Sequence, residues 1–480
     1  MPAQPRAYAH FPMTASRRHF LQQAGGGLGA LALCWLLHED EARGSAGSPG
    51  PQAPRPPHFP ARARSVIYLF MHGGPSHLET FDPKPDLARL AGHPLPASFG
   101  PVATRRKVAH NPLLATRRTF RRCGRSGIEI SDFLPHLAEC ADDLAVIRSC
   151  WADSVNHPQA VYEMNTGSIL MGKPSLGSWV SYGLGTENQD LPAFIVLPDP
   201  GGGIKGGPPA YGAGFLPAGQ QGTLMRGGDR PILDLLTPDE ISPKSWRGVL
   251  DLIGRLNARH QEQRGPDAEL EARIEAYELA FRMQTAAPEA VDLTRESDET
   301  KRLYGLDEQR TVEFGTRCLL ARRLVERGVR FVQLYSGDVT GWDAHDDVEA
   351  NHATMCGRTD KPIAGLLKDL KRRGLLDSTL VIWGGEFGRM PMSESGKGRD
   401  HNPYGFTCWM AGGGVKGGTI HGATDAVGLR ALVDRAHVHD LHATILHLLG
   451  LDHTRLTFPH NGRDDRLTDT AGNVIRSILA

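Results

Sequence analysis

Five places along this chain gather side chains that bind metals, protons or anions. They are His72 and His77; Asn156 and His157; Asp343 and His345; Glu386 and Arg389; Asp400 and His401. Imidazoles with carboxylates suit Zn and related divalent ions, whereas Asp, Glu and Asn oxygens suit Ca or Mg. The close spacing of Asp343-Ala344-His345 lets both side chains reach one ion from a single turn. Arg389 offers a planar fork that matches two oxygens of a phosphate or sulfate. Any one of these groups is unremarkable in a loop. Their shared context is what matters, because each follows, or adjoins the loop after, a short apolar run.

Those runs are the elements that must position the chemistry. Val66, Ile67, Tyr68, Leu69 and Phe70 are apolar on both faces and rich in β-branched and aromatic residues, a strand buried within a sheet. It breaks into His72-Gly73-Gly74-Pro75. An irregular, basic excursion over the site follows at 83–122, then a helix over 134–143 and a second buried strand, Leu144-Ala145-Val146-Ile147. That strand leads through a polar loop to Asn156-His157-Pro158, a helix over 159–165 and Thr166-Gly167. Phe194-Ile195-Val196-Leu197 is a third strand, and residues 200–228 form a long Gly/Pro-rich loop.

In the middle, Pro266 and Asp267 open a helix whose Leu270, Ile274, Tyr277 and Phe281 recur as a stripe expected in the core. Residues 312–326 form another helix, ended by Gly328. A strand over 329–335 then empties into Ser336-Gly337-Asp338 and Gly341-Trp342-Asp343. A helix over 363–373, strands over 379–383 and 406–410 and a helix over 438–451 complete the pattern. Strands spaced by helices predict an α/β fold with a mostly parallel sheet and helices on both faces. In such sheets ligands collect beyond the carboxyl ends of the strands. No internal repeat is visible, so residues 65–480 read as one domain.

Bulk composition narrows the classes. Lys+Arg and Asp+Glu are 54 each, which leaves no global charge to draw the chain to nucleic acid or a membrane surface. Ser16-Arg17-Arg18-His19-Phe20-Leu21, a short apolar run to Leu37 and small residues after it read as a signal peptide over 1–44. The paired arginines resemble a twin-arginine leader, implying the twin-arginine export machinery as a partner and a periplasmic or extracellular location with no membrane span after leader removal. Residues 45–64, rich in Pro, Gly and Arg, read as a disordered linker. Outside the leader the six cysteines lack CxxC spacing and are expected to be mostly buried free thiols.

The strings MHGGPSHLETFDPKP, DLAVIRS, NHPQAVYEMNTG, GWDAH, GGEFGRMP and DHNPYG carry a resemblance, supported by the late HDLHATILHLLGL. Together they resemble the alkaline phosphatase–sulfatase superfamily. Within it the chain resembles an uncharacterised family of exported bacterial proteins. The resemblance implies a three-layer α/β/α sandwich with loop and helical insertions, and one or two divalent ions (Zn, Ca or Mg). It implies as substrate a small-molecule or glycan phosphate or sulfate ester.

Carried over by position, His72 stands where the superfamily has a metal-binding Asp. Asn156-His157 stands at the nucleophile position, nine residues before Thr166-Gly167, so the usual hydroxyl is missing. Asp343, with His345 near it, matches a later metal-binding Asp. Glu386-Phe387 replaces an Asp-His pair, and His401, beside Asp400, matches the last metal-binding His. On this reading His72, Asp343, His345, Glu386, Asp400 and His401 hold metal, Asn156 and His157 face the reacting centre, and Arg389 steadies the anion. His157 could act as nucleophile or general base, or water could attack directly with His157 as ligand or base. The rival reading is a non-catalytic exported protein that binds anionic glycans on a degenerate fold.

Overall fold

In the computed structural model, residues 52–226, 242–265, 268–337 and 340–480 are described. Residues 1–44, expected to be a leader, with Arg17 and Arg18, as well as Pro266, Asp267, Asp338 and the last two residues of the 200–228 loop, lie outside them. Strand β1 (Ser65–Met71) is buried along its whole length. Its alternate residues feed two cores: Ile67, Leu69 and Met71 join one, and Val66, Tyr68 and Phe70 the other. This period of two on a strand covered from both sides explains the unbroken apolar run.

Around β1 the sheet is built from β2 (Leu144–Trp151), β3 (Phe194–Leu197), β4 (Thr223–Leu224), β5 (Phe331–Ser336) and β6 (Thr379–Gly384). After a separate hairpin of β7 (Gly388–Glu394) and β8 (Gly398–Asn402), the sheet adds β9 (Phe406–Ala411), β10 (Thr419–His421) and β11 (Ala436–His437). The order is β10-β2-β9-β6-β1-β5-β3-β4, with β11 also paired to β2. β1 is parallel to both neighbours. β9 is antiparallel to β2 and β6.

Helices cover both faces, as the alternation of β1 requires. On one side Phe314, Cys318 and Leu319 of α5 (Val312–Glu326) and Ile363, Leu366 and Leu370 of α6 (Val348–Arg372) enter the first core. On the other, Val161 and Met164 of α1 (His157–Thr166), Trp179 of α2 (Leu176–Leu184) and Leu441 and Ile445 of α7 (Val438–Leu448) enter the second. Two further helices, α3 (Pro243–Arg264) and α4 (Ala268–Val291), lie between β4 and α5 in the chain. The three-layer α/β/α architecture expected from the sequence is the one observed. Residues Pro51–Ala480 form one compact unit. Among the described residues no helix is long and apolar enough to cross a membrane.

Several local expectations are corrected. Helix α6 begins at Val348, not Ile363, because Pro362 sits inside it and does not break it. The helix expected over 134–143 is a shorter 3-10 helix, Leu137–Asp143. The stripe on α4 is not core: Tyr277 is 48% exposed, and among the described side chains of the helix the buried ones are Met283, Ala287 and Ala290. The described part of the 45–64 linker is ordered against the domain. Arg55 N donates to Leu184 O, and Arg62 and Ala63 N donate to Leu448 O. Backbone groups tied down in this way replace the expected coil. The six cysteines from Cys123 to Cys408 are buried and free, as expected.

Candidate metal centre

Parallel β1, β5 and β6 discharge their C-terminal ends side by side, which brings His72, Asp343 and Glu386 together. The close approach of the first two loops depends on Gly73, at φ +109°, where a Cβ would sit 2.5 Å from Asp343 N and 2.6 Å from Trp342 N. β2 delivers His157 as the first residue of α1, with Asn156 at the N-cap position and proline in the first turn. Gly167 closes that helix in the left-handed conformation. The last imidazole arrives differently. Arg389 and His401 sit opposite each other on the β7–β8 hairpin, outside the main sheet. The expectation of five strand ends from one parallel sheet is thus corrected, since Arg389, Asp400 and His401 belong to this antiparallel ribbon.

Four side chains converge: ligand atoms of His157, Asp343, His345 and His401 all lie within 4.8 Å of one another. His157 Nε2 is 3.0 Å from Asp343 Oδ2. His345 Nε2 is 3.0 Å and His401 Nε2 3.2 Å from Asp343 Oδ1. The outer nitrogen of each ring meets an oxygen that only accepts. His157 Nδ1 donates to Glu386 Oε1 over 2.6 Å, His345 Nδ1 to Glu394 Oε2 over 2.6 Å, and His401 Nδ1 to the Val155 carbonyl over 2.7 Å. A neutral imidazole carries one proton, so each inner Nε2 is then a bare lone pair aimed at Asp343. His157 Nε2 is a buried atom without a hydrogen-bond partner. This pattern, outer nitrogens fixed by acceptors and inner ones converging with a carboxylate, fits a divalent cation bound by three nitrogens and one oxygen.

The electrostatics agree. Burial pushes His401 down to about 3, which keeps it neutral and its Nε2 unprotonated at physiological pH. Burial would raise Glu386, but the hydrogen bond from His157 brings it down to about 2, so it accepts as a carboxylate. Asp343 is likewise lifted by burial, yet the surrounding imidazoles and the Arg389 charge hold it far below the usual carboxylate range. Phe387 supplies an apolar wall, stacked on His401 with ring centroids 4.5 Å apart and tilted against His157 at 4.9 Å.

The other sequence candidates take varied places. His72 belongs with His157 and Glu386 to a second group, adjoining the first through His157. In that group Glu386 also accepts from Gly73 N, at 2.9 and 3.1 Å. Asp400 lies outside the central four. Its oxygens accept from the amides of His401 (2.8 Å) and Arg106 (2.6 Å). It neighbours His345 and Glu394 in a third group. Arg389 is fully buried. Its guanidinium donates to Gly74 O (3.0 Å), Arg399 O (3.1 Å), Gly73 O and Asp343 Oδ1 (2.8 Å). That leaves it bracing the loops instead of reaching an outside anion. His77 points elsewhere and donates through Nε2 to Gly428 O at 2.8 Å. The 83–122 excursion packs Leu87, Val108 and Leu113 on Met390 and Met392 of the hairpin, so it supports the site from behind Arg389.

A family model described as "protein of unknown function (DUF1501)" matches residues 63–479. The chain belongs to the DUF1501 family. No curated protein matches this DUF1501 chain. Among solved structures, the lipoteichoic acid synthase LtaP from Listeria monocytogenes is similar at 10% identity and a TM-score of 0.38, over 89% of this chain and 79% of that one. The PsFucS1 sulfatase from Pseudoalteromonas sp. is similar at 12% identity and a TM-score of 0.33, over 81% and 68%. A mutant of the TAB5 alkaline phosphatase with Mg bound is similar at 10% identity and a TM-score of 0.31, over 73% and 92%.

Two participants of this DUF1501 centre carried no sequence signal. Glu394 lies in a polar turn sequence, Ser393-Glu394-Ser395, and Lys205 lies among glycines. Lys205 Nζ is 2.7 Å from Asp343 Oδ2. The first becomes legible only through the β7–β8 pairing, and the second only through the path of its loop.

Proposed function

We propose that this chain is an exported, metal-dependent hydrolase of phosphate or sulfate esters on a small molecule or glycan. The observation that carries the reading is the convergence on Asp343 of three imidazoles whose outer nitrogens each meet an oxygen acceptor. A divalent ion held there supplies polarisation of the ester oxygen and neutralisation of developing negative charge. His157, Asp343, His345 and His401 are the residues that would hold it, with His72 and Glu386 at the adjoining position. Glu386 and Glu394 orient His157 and His345, and Arg389 fixes Asp343. Asp400 sets the backbone at His401. Asn156 makes no capping bond with its side chain, which leaves it able to meet substrate beside His157. His157 is engaged at both nitrogens, by Glu386 and toward Asp343. That supports direct attack by water over a covalent step on the imidazole. The leader at 1–44 supports export through the twin-arginine machinery to the periplasm or beyond.

The test is elemental analysis of the purified protein and of an Asp343→Ala/His345→Ala variant, alongside turnover of aryl phosphate and aryl sulfate esters. Bound divalent metal and turnover, both lost in the variant, are expected. Metal content unchanged in the variant would sink the centre. Metal-free protein that binds an anionic glycan without turnover would favour the binding-protein alternative.

A further inference from the structure

The loop after β3 reaches back into the centre at Lys205 and makes two contacts there. Its ammonium lies 2.7 Å from Asp343 Oδ2. Its backbone N–H donates to His72 Nε2 over 3.0 Å. The loop is latched in this position. Gly207 N donates to Ile204 O (3.0 Å), closing a turn around Lys205, and Tyr162 Oη donates to Gly206 O at 2.7 Å. Gly206 has φ +108°, and a Cβ there would press against the Tyr162 ring at 3.3 Å. Tyr162 sits on α1, whose first residue is His157. One helix therefore carries both an imidazole of the centre and the latch of the loop. Lys205 is also the most open of the groups around Asp343, with its side chain 25% exposed against 10% for Asp343 and 6% for His157.

We propose that the Lys205 loop is a built-in competitor for the cation. This rests on the metal-centre reading above. In the closed arrangement the Lys205 ammonium neutralises Asp343 Oδ2, and its amide occupies the His72 nitrogen that could otherwise bind an ion. A divalent ion seated among His157, Asp343, His345 and His401 places like charge beside that ammonium across one shared carboxylate. In a poorly hydrated site such repulsion is strong. Occupation of the centre therefore drives Lys205 off Asp343, takes the loop with it and releases His72 Nε2. The occupancy of the centre and the position of the loop are two readings of one equilibrium.

The experiment uses the full chain, wild type, Lys205→Met and Lys205→Arg, titrated calorimetrically with Zn(II) after chelation. Lys205→Met keeps the backbone N–H and removes the charge, so Zn(II) should bind about tenfold tighter or better, while Lys205→Arg should stay near wild type. In the wild type, tryptic cleavage of the Lys205–Gly206 bond, followed by mass spectrometry against a reference peptide, should accelerate as Zn(II) saturates. Equal Zn(II) affinity for wild type and Lys205→Met, or a Lys205–Gly206 bond equally or better protected by Zn(II), overturns the competitor and leaves the centre standing. Failure of both proteins to bind Zn(II), Mg(II) or Ca(II) overturns the centre and the competitor together.

Discussion

His345 and His401 face each other through their Nε2 atoms at 3.0 Å, although the Nδ1 of each is already committed to an oxygen acceptor. Two neutral imidazoles cannot share that contact favourably, because neither has a proton to place in it. A cation between them converts two opposed lone pairs into two ligands.

Saturating a chelated sample with its ion should therefore raise the melting temperature. At free ion one hundred times Kd the gain is about 2.7 kcal/mol. His401→Ala should abolish the rise in differential scanning calorimetry. A His401→Ala protein whose melting point still responds as wild type would move the ion elsewhere.

Glu386→Gln keeps the size of a residue that is fully buried and removes the carboxylate that orients His157. Loss of such an outer partner costs about 10–100-fold in metal affinity. Glu394→Gln should act comparably through His345. Competition against a coloured chelator measures both, and affinities equal to wild type would show that the two glutamates do not set their imidazoles.

Behind the hairpin, Arg399 and Glu79 form a fully buried pair at 2.7 Å. Arg399 is two residues from His401 and also donates to the Met390 and Pro391 carbonyls at 3.1 Å. Arg399→Ala strands a buried carboxylate and should destabilise by about 3–5 kcal/mol in denaturant unfolding. Because this residue shares a strand with His401, cation affinity should fall as well.

The same pair predicts an acid sensitivity. Burial would raise Glu79, but the Arg399 charge and its hydrogen bonds outweigh it and leave its pKa below the ordinary value. A carboxyl depressed in the folded state contributes stability above its unfolded pKa, and that contribution disappears as pH falls through the lower folded value. Wild-type stability should thus decline below about pH 4.3, the ordinary glutamate range. Glu79→Gln should be less stable at neutral pH and show a flatter decline. A parallel decline in both proteins, followed by chemical denaturation across pH, would assign the acid sensitivity to other carboxylates.

Gly73→Ala tests the close approach of the β1 and β5 loops. The positive φ of Gly73 and contacts at 2.5 and 2.6 Å to the Asp343 and Trp342 amides leave no room for a methyl group. Asp343 should shift and cation affinity drop at least about tenfold, since displaced ligands bind poorly. Retained affinity on calorimetric titration would mean that the loop adapts without moving Asp343.

Much of this was legible in the chain itself. The run at 66–70 specifies a strand buried on both faces, and alternating strands and helices specify a layered α/β fold, because burial pattern and period are local properties. His72, His157, Asp343 and Glu386 could be found because each directly follows, or lies in the loop after, a strand or its extension. The start of α6 at Val348 was not legible locally, since tertiary packing tolerates Pro362 within a helix that a local rule would interrupt there.

Which atoms share the centre was decided elsewhere. His401 reaches Asp343 by way of an antiparallel hairpin, Glu394 is brought to His345 by that same pairing, and Lys205 arrives through a loop more than 130 residues distant from Asp343 in sequence. Arg389 looked free to grip an anion until its donors were found on Gly73, Gly74, Arg399 and Asp343. By itself the sequence determined the donor types and the strand ends that carry them. Only the tertiary structure decided which donors face one another and which nitrogen of each imidazole faces inward. The physical reason is that hydrogen bonds between residues distant in the chain carry no local periodicity or composition from which they could be read.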